Sequence, residues 1–180
     1  MTTNYADLID EISHDNMLVD AEDPIIVNGL KRTCDISDSF NREVAIVGDH
    51  RSNLITFHSD RIIDGHDTLE CTLAVIKWEN LGAKTSGAYT IDDRAVLESD
   101  PSKVIFHWAI ESDTTTAAGK IRFSLCFIDY NEAGNQVTYR WNARPCVELS
   151  VGEGIYNADV DTPVTNNDGG FIYNGAISIL

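Results

Sequence analysis

Positive charge is scarce in this chain. Thirteen Lys and Arg stand against 29 Asp and Glu in 180 residues, a formal charge of −16. Neutralising a row of phosphates takes clustered Lys and Arg. Here they occur singly or in pairs, so no direct nucleic-acid partner is expected. Long apolar runs are also missing: no stretch of about 18 apolar residues occurs, and no membrane insertion is expected. The opening Met1-Thr2-Thr3-Asn4-Tyr5-Ala6-Asp7 has neither the basic nor the apolar region of a signal peptide. The four cysteines, Cys34, Cys71, Cys126 and Cys146, are widely spaced with no Cys-x-x-Cys pair. That favours reduced, buried thiols over a disulfide framework. A Gly-rich phosphate loop, a Gly-x-Ser-x-Gly elbow and a placed Cys/His pair are all lacking, so no residue is expected to be catalytic.

What is present suits a globular domain. Apolar residues make up 43%, with 12 Gly and 4 Pro, an ordinary composition. A chain of this length buries about 70% of its surface on folding, enough for one core or one core plus a small appendage.

Three regions differ in texture. Residues 1–24 form an acidic arm in which Ala6, Leu8, Ile9, Ile12 and Leu18 recur at roughly helical spacing. A short amphipathic helix is expected over residues 5–17, ended by Pro24. At about three turns it is marginal alone and must dock on something. Residues 25–151 read as β structure: short apolar runs separated by turn signals such as Asn28-Gly29, Asp64-Gly65 and Gly134-Asn135. Val104, Phe106, Trp108 and Ile110 share one strand face, as do Ile121, Phe123, Leu125 and Phe127. The expected fold is all-β, an antiparallel two-sheet β-sandwich with Phe57, Trp78, Phe106, Trp108, Phe123, Leu125 and Trp141 inside. Thr114 to Gly119 is expected to be a turn or short helix. Residues 152–180 are expected to form an extended tail: a flexible Gly/Asn-rich linker over 152–170, then an apolar terminal strand from Phe171 to Leu180.

Four groups of residues invite a chemical reading. Asp64, His66 and Asp67 could be a ligand trio for a metal-assisted hydrolase, but tight spacing around a Gly is also how a surface turn looks, and a turn with no metal is expected. Asp129 to Asn135 begins like a calcium loop, yet Ala133 and Arg140 fall where ligands are needed, so a hairpin turn is expected. His58 and His107 face away from the apolar side of their strands. Trp78, Tyr89, Trp108, Tyr139 and Trp141 could make a carbohydrate-binding platform, but core filling is the favoured reading, since Tyr139 and Trp141 share one strand face.

One resemblance adds to these readings. Ile55-Thr56-Phe57, Arg61 to Asp67, Val75 to Asn80, Val104 to Ile110, Ala117 to Phe123, Tyr139 to Asn142 and Val151 to Ile155 resemble a β-sandwich module of tail and baseplate proteins from phages of Gram-positive bacteria. The stretch is similar to the N-terminal domain of the baseplate upper protein family. It covers about three-fifths of the chain, which departs from the family by its shortness, its acidic arm and its tail. The resemblance implies a non-enzymatic virion component of the tail, baseplate or fibre, assembled in the host cytoplasm and using no cofactor. Its partners would be copies of itself and other phage tail proteins, with a cell-surface glycan reached through the assembly. Partner contacts are expected at Leu8, Ile9 and Ile12 of the arm and at Phe171, Ile172, Ile177, Ile179 and Leu180 of the tail. The alternative is a carbohydrate-binding β-sandwich taking part in host receptor recognition.

Overall fold

The computed structural model describes residues 23–155 and, beyond them, the backbone of two short strands. Among the described residues there is no helix. The chain runs through β1 (Ile25–Asn28), β2 (Thr33–Asp35), β3 (Glu43–Ile46), β4 (Leu54–Asp60), β5 (Ile62–Ile63), β6 (His66–Asp67) and β7 (Leu73–Asn80). It continues through β8 (Thr85–Thr90), β9 (Ala95–Val96), β10 (Lys103–Ala109), β11 (Gly119–Tyr130), β12 (Val137–Asn142) and β13 (Cys146–Gly152). One sheet has the order β2-β1-β4-β10-β9. The other has the order β3-β13-β11-β7-β8, with β12 also paired to β11.

The two sheets share one core, giving a sandwich-like fold. Alternation along β4 and β10 turns Ile55, Phe57, Val104, Phe106 and Trp108 inward. Alternation along β7, β11 and β12 does the same for Ile76, Trp78, Ile121, Phe123, Leu125, Phe127 and Trp141. Rings from the two sheets interlock at the centre. Phe57 stacks on its strand neighbour Phe106 at 5.3 Å and meets Phe123 edge-on at 6.0 Å. Phe106 meets Phe127 edge-on at 6.2 Å. Edge-on contacts of this kind add to the burial of the rings themselves. All seven residues expected inside are buried. The four cysteines are buried and free.

Two pairings depart from the antiparallel expectation: β1 lies parallel to β4, and β3 parallel to β13. Parallel neighbours need a crossover between them. Here it is supplied by the chain leaving one sheet for the other, since β3 joins the second sheet between β2 and β4 of the first. Residues 112–118 form turns and bends. The expected linker over 152–170 contains β14 (Pro163–Thr165), which pairs antiparallel with β15 (Phe171–Tyr173). The five residues between them, Asn166 to Gly170, are rich in turn formers, which is how a short hairpin reads. The expected arm helix with Leu8, Ile9 and Ile12 lies outside the described residues, as do Ile177, Ile179 and Leu180. Phe171 and Ile172 fall in β15.

Candidate functional site

Three places in the sandwich bring reactive or recognisable side chains together. The first grows from Asp64-Gly65. A two-residue hairpin loop needs left-handed backbone at both positions, which Asp tolerates and Gly accepts freely. Asp64 has φ 52° and Gly65 φ 82°, and β5 pairs with β6 through Ile63 and His66. The expected turn is therefore present. Its side chains part company: Asp67 bonds Arg61 Nε at 3.1 Å, while Asp64 accepts the Tyr139 hydroxyl at 3.2 Å and lies 3.7 Å from Arg32. The His66 ring stacks on Tyr139, centroids 3.5 Å apart, and its Nδ1 lies 3.2 Å from Asp129 Oδ2. Asp129 also accepts the Thr72 N–H at 3.0 Å. Burial and the neighbouring Asp64 push the Tyr139 hydroxyl up to about 12, so it stays a donor. Chemically this is a polar clasp that fastens hairpin β5–β6 onto hairpin β11–β12. Among the described residues, no three His, Cys, Asp or Glu are grouped to hold a metal.

The second place is the outward face of β4 and β10. Asp93, just before β9, accepts the His107 N–H at 3.2 Å, and its other oxygen lies 2.5 Å from His107 Nδ1. Burial alone would raise the Asp93 pKa, but the two His107 contacts outweigh it and hold the carboxyl below its ordinary range. An Asp–His pair of this kind could orient a base. A base needs a proton to take, however, and His107 Nε2 is buried without a hydrogen-bond partner. Thr56, opposite His107 in the register, has an equally unpartnered hydroxyl. His58 lies two residues further along β4, its pKa lowered by burial, then by His107 and Lys103.

The third place is a shallow groove of about 580 Å³ on the second sheet, lined by Lys77, Gly87, Ala88, Arg122, Ser124 and Pro145 among others. Gly87 and Ala88 of β8 line it on one side and Arg122 and Ser124 of β11 on the other. Arg122 is ion-paired with Glu79 on its rim.

Sequence reasoning placed the turn at Asp64 and the outward histidines. It missed Asp129 and Tyr139 as the partners of His66 and Asp64, and Asp93 as the partner of His107. Asp129 and Tyr139 face each other across β11 and β12, a relation that the hairpin register could have revealed. The Asp129 contact with His66 spans 63 residues and the Tyr139 bond to Asp64 spans 75, and neither leaves a local trace. Of the aromatic row, Trp78, Trp108 and Trp141 are core residues, and Tyr89 and Tyr139 are partly buried. Searched against protein families and against curated proteins, the sequence matches none.

Proposed function

We propose that the chain is a non-enzymatic structural component of a phage tail, baseplate or fibre. It would assemble with copies of itself and with other tail proteins through its ends and sheet edges. The observation that carries this proposal is the outer edge strand β8. It runs six residues, Thr85-Ser86-Gly87-Ala88-Tyr89-Thr90, with no charged side chain and no bulge against β7. Monomers usually blunt such an edge with Lys, Pro or a bulge, because its free N–H and C=O groups pair with other chains. Apolar residues in both terminal regions supply further surface to bury, and the sequence resemblance supplies the setting.

The test is to purify particles released from the source strain and label them with antibody to this chain. Gold at one end of the tail is expected under the electron microscope. Particles free of label, with the protein only in the soluble fraction, would overturn the proposal. The carbohydrate-binding alternative keeps little support, since its three tryptophans are in the core.

A further inference from the structure

On the outward face of β7, β11 and β12, basic side chains outnumber acidic ones, against the sign of the whole chain. Residues directly opposite one another in a sheet point to the same side. The inward set on β11 is Ile121, Phe123, Leu125 and Phe127, so Lys120, Arg122, Ser124, Cys126 and Ile128 point outward. Lys77 lies opposite Ser124, and Arg140 opposite Ile128, on that same side. Lys77, Lys120, Arg122 and Arg140 are all exposed, and among the described residues only Arg122 has an ion-pair partner, Glu79. Beneath them Val75, Cys126 and Ile128 form a buried apolar floor. The row from Lys120 to the level of Ile128 spans eight residues of strand, roughly 27 Å. Lys77 and Arg122 at its middle also line the groove beside Gly87 and Ala88.

The same chain holds a segment of complementary chemistry. Residues 1–22 contain Asp7, Asp10, Glu11, Asp15, Asp20 and Glu22 and no Lys or Arg. At the helical spacing expected for 5–17, Leu8 and Ile12 form one row, and Glu11 and Asp15 run beside it. Thirteen residues of helix measure about 20 Å, a fit to the basic row. Asp23 accepts a hydrogen bond from Ser39, in the loop leading into β3. The described chain thus begins beside the loop into β3, and β13 lies between β3 and β11 in the sheet.

We propose that the acidic segment 1–22 of one copy docks on the basic outer face of β7, β11 and β12 of the next. Its apolar row would lie in the groove, and its carboxylates beside Lys77, Lys120, Arg122 and Arg140. Docking of each arm on the next copy's face builds rings or filaments, and reciprocal exchange between two copies closes a dimer. This deepens the assembly reading and rests on it.

The test is zero-length carbodiimide cross-linking of an equal mixture of unlabelled and ¹⁵N-labelled full-length protein, read by mass spectrometry. Links between segment 1–22 and Lys77 or Lys120 are expected, with mixed isotope composition. Lys77→Glu with Arg140→Glu should cut their yield about tenfold or more, the scale of turning attraction into repulsion. Adding Asp10→Lys with Glu11→Lys should restore links between copies, now from the amines introduced into the arm to the carboxyl introduced at position 77. Recovery of this kind cannot come from a misfolded double variant. Mixed links spread equally over Lys31 and Lys103, links within single copies only, or no links would each overturn the docking proposal. None of these results changes where antibody labels a particle, so the two proposals fail separately.

Discussion

His58 sits on the outward face of β4, partly buried, beside two other basic groups. Its pKa lies below the ordinary 6.5 through burial first, then His107 and Lys103. The unfolded chain therefore binds a proton that the folded chain refuses, so stability is full above about pH 6.5 and falls as the pH drops through that value. Urea midpoints should decline between about pH 7 and pH 5.5, and His58→Gln should flatten that decline. A second loss should set in near pH 4, as Asp60 and Asp93 take up protons. Burial opposes ionisation of both, but Lys103 with the Gly29 N–H, and His107, hold them below the ordinary 3.8. Asn80 shows the limit of local reading. Its place before Leu81-Gly82 marks a turn in the sequence, yet the side chain is fully buried. It donates to Thr114 O at 2.9 Å and Ala117 O at 2.8 Å and accepts from the Ala83 N–H at 2.9 Å. Asn80→Ala would strand those groups and should cost about 2–4 kcal/mol in chemical denaturation. No pattern in the sequence announces contacts 34 and 37 residues away.

Strands were the most legible elements, because period-two alternation is written into each one. The inward faces of β4, β10 and β11 follow from their own residues, and so do the turns at Asp64-Gly65 and Asn131 to Gln136. Pairing partners did not follow, since nothing in β1 or β3 says that β4 and β13 will lie parallel to them. Strand β8 shows a third case: its alternation is weak, and a glycine in a strand usually marks a bulge or a close approach. Here it is a close approach. A Cβ at position 87 would stand 2.5 Å from Trp78 Cζ2, and the Trp78 side chain is buried, so either the ring or β8 must shift. Gly87→Ala should destabilise by about 1–3 kcal/mol. Near-ultraviolet circular dichroism should report the shifted indole, while far-ultraviolet spectra keep their β shape.

At the level of the whole molecule, the two sheets are interleaved in chain order. The first takes β1 and β2, the second β3, the first β4, and so on to β13. The parallel contact between β3 and β13 joins Glu43 to Ser150, a separation of 150 − 43 = 107 residues. Closing so long a loop costs chain entropy before any contact compensates. Refolding should accordingly take milliseconds to seconds, the range for domains dominated by non-local pairing. Translation stretches that delay further. At about 5–20 residues per second, strand β3 leaves the ribosome roughly 5–20 s before its partner exists. Nascent chains stalled ahead of Cys146 should be cut readily by protease, and released full-length chains should resist it. During that interval the unfinished sheet edges of neighbouring nascent chains could pair with one another. The surplus of negative charge works against such encounters before the first strand is made, because residues 1–24 emerge ahead of β1 and carry acids without a single Lys or Arg.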